Sequence, residues 1–198
     1  MMRTITRELE EEQSALVQVK IIYWGPAESG KTTSLLQVAK AFSQCSEDEL
    51  IRVQTTRGRT LWNEYGAFRF QIPAGGLVLD TIVHLSAVTG QERFLNTREY
   101  TATSADGVIF VADCRPEYIK ATLRSFEELA AFMPSNIPVI VQANFQDLDG
   151  ALNAAEMEVK LDQVSLRRHE RVIPTIAKEG MNVSGVFIDM LLLVLKTR

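Results

Sequence analysis

Cysteine is scarce in this chain. Cys45 and Cys114 are the only two, far apart and without metal-ligand spacing, which argues against a disulfide framework and a cysteine-bound zinc centre. The two histidines, His84 and His169, sit in no partner pattern, so both are expected to be structural. No block of lysine and arginine occurs and the net charge is −4, so the electrostatic footprint of a nucleic-acid binder is missing. The longest apolar run, Met190 to Leu195, is too short to span a bilayer, and an integral membrane segment is not expected. No apolar leader opens the chain, Met2 stands where myristoylation would need glycine, and no C-terminal cysteine is available for a prenyl group. These absences predict a cytoplasmic protein that would meet a membrane only peripherally, through a partner.

What is present is a chain of 198 residues, 46% of them hydrophobic, enough for one α/β domain with a full core. Residues 1–15 read as a polar extension and 16–198 as the domain. The organising stretch is Gly25-Pro26-Ala27-Glu28-Ser29-Gly30-Lys31-Thr32, with Thr33 following. A glycine, four residues and Gly-Lys-Thr let backbone N–H groups turn inward around a phosphate, helped by the positive end of the helix that follows. Lys31 would reach the β- and γ-phosphates, and the Thr32 hydroxyl would ligate Mg²⁺. The context fits: Val17, Val19, Ile21, Ile22 and Tyr23 predict a buried strand before the loop, and Leu35, Leu36, Ala39 and Phe42 recur at helical spacing after it.

Further along, a polar segment around 43–62 reads as a loop. Phe68, Phe70 and Ile72 alternate with Arg69 and Gln71, Pro73 to Gly76 reads as a turn, and Thr81 to Ala87 resumes the extended pattern, giving an antiparallel hairpin at the sheet edge. Thr89 to Phe94 reads as a loop, followed by a short polar helix to Ala105. Gly107 to Asp113 and Pro138 to Ala143 are continuous apolar runs of the kind buried on both faces of a parallel sheet. A helix is predicted from about Glu117 to Met133, a weaker one from Glu156 to about Arg168, and a last strand from Val172 to Ala177. Val183, Val186, Phe187, Met190, Leu191, Val194 and Leu195 form an unbroken helical stripe for core packing. This alternation predicts a three-layer α/β fold with a mainly parallel sheet and one antiparallel edge strand.

In such sheets ligands sit at the carboxyl ends of the strands. Three ends besides the phosphate loop carry suitable groups: Thr89-Gly90-Gln91, Asn144-Phe145-Gln146-Asp147, and Ala177-Lys178. Gly90 could offer an N–H to a γ-phosphate and Gln91 could orient an attacking water. With these four ordered motifs the chain, from about Val17 to Leu195, resembles the Ras-like small GTPases, whose domain is the phosphate-loop NTPase fold. Within them it is most similar to the MglA-type polarity GTPases, on Tyr23-Trp24-Gly25-Pro26, Arg59-Thr60-Leu61 and Thr89-Gly90-Gln91. The resemblance implies a switch that hydrolyses GTP to GDP with Mg²⁺. It implies that Asn144 and Asp147 read the guanine base, and that the Ala177 N–H, beside Lys178, meets the guanine carbonyl. It implies too that Thr60 meets Mg²⁺ and the γ-phosphate, that Arg59 acts as a built-in arginine finger, and that a roadblock-domain activator of the MglB kind is the partner. Trp62 and Phe94, beside the two switch loops, are candidate anchors for such a partner or core residues.

The chain also departs from the pattern. Ala87 stands where relatives commonly have an aspartate that holds a metal-bound water, Phe145 replaces the lysine that covers the base, and Ile176 replaces a serine. Glu28 places a carboxylate in the phosphate loop, where it would repel the ligand unless it points outward. Arg57 and Arg52 compete with Arg59, and Thr55 and Thr56 with Thr60. A nucleotide-binding scaffold without turnover is therefore a second reading, and an ATP-using phosphate-loop enzyme a third.

Overall fold

The computed structural model describes residues 14–45, 64–75, 77–88 and 104–197. Its centre is a six-stranded sheet in the order β2-β3-β1-β4-β5-β6. The strands are β1 (Ser14–Trp24), β2 (Glu64–Ala74), β3 (Leu77–Ala87), β4 (Gly107–Asp113), β5 (Val139–Asn144) and β6 (Arg171–Pro174). Every neighbouring pair is parallel except β2 with β3. Among the described residues four α-helices flank it: α1 (Lys31–Ala41), α2 (Ile119–Phe132), α3 (Ala154–Val164) and α4 (Val183–Lys196).

Side chains alternate across each strand, so β1 supplies two cores. Val19, Ile21 and Tyr23 face one layer with Leu35 and Val38 of α1 and Val183, Phe187, Met190 and Val194 of α4. Ile22 and Trp24 face the other with Phe126 and Leu129 of α2 and Met157 and Leu161 of α3. Burial on both faces is why β4 and β5 read as unbroken apolar runs, and every residue of both strands is buried. Trp24 also donates its indole N–H to the Ser125 carbonyl at 3.1 Å, satisfying the one polar atom that its burial would strand.

The three-layer, mainly parallel architecture with an antiparallel edge pair agrees with the sequence pattern. Several boundaries differ for local reasons. Pro73 belongs to β2, not to the turn, because β2 is an edge strand among the described residues and a missing N–H there costs no ladder bond. Helix α3 starts two residues earlier than its apolar pattern suggests. Asn153 caps it reciprocally with Glu156, its side chain accepting from the Glu156 N–H at 3.0 Å while Glu156 accepts from the Asn153 N–H at 2.9 Å. The same helix ends at Val164 instead of near Arg168. Beyond it the Arg167 guanidinium is spent on the carbonyls of Met133, Pro134 and Ile137, at 2.8, 3.1 and 2.8 Å, pinning the loop between α2 and β5. Strand β6 stops at Pro174, so Ala177 opens a short 3-10 turn (Ala177–Glu179) and is not a strand residue. The expected polar helix before Ala105 lies outside the described residues.

His169 is a packed residue, as expected, though not one without neighbours. Its ring lies edge-on to Phe126 with centroids 6.3 Å apart, and Nε2 is 3.4 Å from a Glu158 carboxylate oxygen. Both cysteines are free thiols, and burial beside the Asp113 charge pushes the Cys114 thiol up to about 12, which makes it an inert core residue. No helix among the described residues is long and apolar enough to cross a membrane.

Phe187 sits where α4 meets the sheet edge, with ring centroids 5.4 Å from Phe42 and 6.0 Å from Phe70. Truncating it leaves a cavity against both, so Phe187→Ala should cost about 3–5 kcal/mol of unfolding free energy in urea denaturation.

Candidate functional site

The chain winds from β1 to β3 on one side of the sheet and then crosses to β4 on the other side of β1. That reversal opens a crevice at the carboxyl ends of β1 and β4, and the loop after β1 is Gly25 to Gly30. Both of its glycines are sterically obligatory. Gly25 has φ of 148°, and a Cβ on it would lie 2.4 Å from the Val111 carbonyl oxygen. Gly30 has φ of 103°, and its Cβ would lie 2.3 Å from the Asn144 amide nitrogen. Glu28 also adopts a left-handed conformation, with φ of 64°, and is exposed.

Lys31 is only 7% exposed, a burial that a lysine ammonium tolerates only with its donors used. It donates to the carbonyls of Gly25 at 3.0 Å and Pro26 at 2.6 Å, so the ammonium lies across the loop it follows. Helix α1 begins there with no side-chain cap and no acidic residue in its first turn. An uncapped helix start, a lysine across a glycine loop and a groove where a Cβ would clash together fit a phosphate group. The fit for a metal is of a different kind. Among the described residues no group of three His, Cys, Asp or Glu side chains could hold a metal ion, and Ala87, at the end of β3, contributes no carboxylate. Asp80 is engaged with Arg69 at the other end of β3, and Asp113 with Arg115, so neither takes that place. Thr32, in the first turn of α1, would offer one hydroxyl to an ion such as Mg²⁺, whose other ligands would have to come from a bound phosphate or from residues outside those described.

The other end of the crevice is organised by Asn144. Its Nδ2 donates to the Ser29 carbonyl at 2.8 Å, and its Oδ1 accepts from the Ala177 N–H at 2.9 Å. One buried amide thus ties three strand ends together. Asp147 pairs with Lys178 at 2.5 Å, and that hydrogen bond holds the Asp147 carboxyl below the usual carboxylate range and the Lys178 ammonium above its usual range. A cavity of about 270 Å³ lies over these groups. It is lined by Glu28, Gly30, Thr33, Asn144, Phe145, Asp147, Ala177 and Lys178, all anticipated from sequence, by Ile176, and by Arg115, which was not. Only its position just past the end of a buried strand could have drawn attention to Arg115. Ala27, Ser29 and Thr32 lie in or beside the loop, Ala27 exposed, Ser29 buried and Thr32 half-buried. Arg59, Thr60, Gly90 and Gln91, with Trp62 and Phe94, lie outside the described residues.

Strand order, glycine loop and helix start define a phosphate-loop NTPase architecture. The sequence profile of the ADP-ribosylation factor family matches residues 80–191. The chain is 30% identical over 165 residues to the mutual gliding-motility protein MglA of Myxococcus xanthus (strain DK1622), an alignment covering 80% of this chain and 83% of that one. It is 29% identical over 147 residues to ADP-ribosylation factor-like protein 6 of Caenorhabditis elegans, covering 72% of this chain and 68% of that one. The chain belongs to the Ras superfamily of small GTPases, close to the MglA-type polarity GTPases, and so to a family that binds and hydrolyses GTP.

Replacing Asn144 by alanine would strand the Ser29 carbonyl and the Ala177 N–H together, at a cost of about 2–4 kcal/mol in chemical denaturation. The exposed Asp147–Lys178 pair should act on stability through pH. Because Asp147 is more acidic folded than unfolded, its contribution is present above the ordinary carboxylate pKa of roughly 4 and is lost as pH falls through the lower folded value. Asp147→Asn should flatten that acid limb in melting temperatures followed against pH.

Proposed function

We propose that the protein is a GTP-operated molecular switch that hydrolyses GTP to GDP and phosphate, slowly unless a partner assists. One domain, residues 16–198, would carry the activity, with 1–15 a polar extension. The observation that carries this reading is the Asn144 bridge, which joins the phosphate loop to the Ala177 turn and so sets a phosphate cradle and a base cavity at a fixed separation.

The backbone from Gly25 to Thr32 and the Lys31 ammonium would hold the phosphates, with Thr33 beside them and the Gly90 N–H donated to the γ-phosphate. Asn144, Phe145, Asp147, Ala177 and Lys178 would frame the guanine. Thr32 and Thr60 would hold Mg²⁺, which when bound would supply positive charge to offset the negative charge of the triphosphate. Gln91 would orient a water whose oxygen bonds to the γ-phosphorus as the bond from that phosphorus to the β–γ bridging oxygen breaks, the electron pair leaving with GDP and the water's proton passing to the released phosphate. Arg59 would neutralise charge that builds on the departing oxygen, and the catalytic set is thus Gln91, Arg59 and Lys31. The loops around Thr60 and Gln91 would have two arrangements set by the γ-phosphate, presenting a surface to a roadblock-domain activator in the cytoplasm. Motility is the process suggested by the name of the Myxococcus relative, and cell polarity the one implied by the resemblance to MglA-type GTPases.

A second reading, a nucleotide-holding scaffold without turnover, is favoured by Ala87, Phe145 and Glu28. Single-turnover hydrolysis of GTP, with and without a roadblock-type partner, separates the two. The switch reading predicts a rate that Gln91→Ala lowers about a hundredfold while GDP affinity stays within about threefold of wild type. No turnover under either condition leaves the scaffold, and an unchanged rate in Gln91→Ala removes the catalytic role given to Gln91.

A further inference from the structure

Residue Arg115 lines the base cavity and has no role in the reading above. Its placement begins with the register of β4 on β5, which sets Asp113 beside Asn144, so that the segments leaving the two strands run past each other. Asp113 is fully buried, and among the described residues its carboxylate is answered by Arg115. The Arg115 side chain donates Nε to Oδ1 at 3.0 Å and a terminal N–H to Oδ2 at 2.7 Å, and the Arg115 backbone N–H adds a bond to Oδ1 at 3.1 Å. The fork neutralises the guanidinium and fixes its plane, leaving its faces for stacking. One ring on those faces is Tyr118, whose centroid is 4.0 Å from the guanidinium carbon. The other is Phe145, at 4.2 Å. Phe145 itself has φ of 69°, a left-handed conformation that a phenylalanine keeps only where its surroundings hold it.

The geometry points to Arg115 as a positioning residue for nucleobase recognition: held by Asp113, it fixes the Phe145 ring as a planar platform on which the base of the bound nucleotide stacks. This rests on the nucleotide-binding reading above and adds where base affinity comes from. With its charge spent on Asp113, Arg115 is not a phosphate ligand. Asp147 lines the same cavity and offers a carboxylate to the edge of a base lying on that platform.

The test is calorimetric titration of the full nucleotide-free chain with GDP, and in parallel with inorganic pyrophosphate, which probes the phosphate loop alone. Arg115→Lys keeps a cation for Asp113, so the chain stays folded, but lacks the planar group that stacks. It should weaken GDP about tenfold and leave pyrophosphate within about twofold, and Phe145→Ala should do the same. The double variant should be no weaker than Phe145→Ala alone, since both act through one ring. Unchanged GDP affinity in Arg115→Lys, equal losses for GDP and pyrophosphate, or losses that multiply in the double variant would each overturn the role of Arg115 and leave the nucleotide reading standing. A wild-type chain that binds neither ligand would overturn that reading itself, and this inference with it.

Discussion

A single buried amide holds the two halves of this site together. Asn144 closes β5 by donating to the phosphate loop and accepting from the turn after β6, so the cradle, the cavity floor and the sheet share one side chain. The close approach of Gly30 to that amide follows from the same contact, since any side chain there would occupy the space of the Asn144 nitrogen. Buried polar networks of this kind are stable only when complete. Both faces of the sheet must be covered before this one can be dry, and β1, shared between two cores, makes that possible.

In the proposed reading the phosphate end and the base end would use different physics. At the phosphate end the protein provides backbone dipoles, one tucked ammonium and a bare helix start, and no carboxylate for metal at Ala87. Phosphate binding there would be a matter of local electrostatics in a chain whose overall charge is negative. At the base end, planar groups and a carboxylate already paired with Lys178 dominate. Phe145 is the hinge between these descriptions, for it replaces a flexible cation by a fixed ring, and the guanidinium behind it restores a cation without free charge.

Much of this was legible in the chain because it depends on local pattern. Continuous apolar runs marked β4 and β5, the helical stripe marked α4, and the spacing from Gly25 to Thr32 marked the loop. What escaped depends on register or on capping. Nothing near Arg115 in sequence reveals that it will meet Phe145, because the contact arises only when Asp113 pairs with Asn144 across two strands. Pro73 looked like a turn residue because proline's edge-strand tolerance depends on sheet order. The reciprocal capping of Asn153 and Glu156, which is not part of the apolar periodicity, moves the start of α3 to Ala154.

The central claim is that this site holds a guanine nucleotide. Its most direct measurement is equilibrium competition of GTP and ATP against a fluorescent GDP analogue, with Mg²⁺ present. The account predicts displacement by GTP at micromolar concentration and none by ATP at a hundredfold excess. Displacement by both alike, or failure of the analogue to bind, would contradict it.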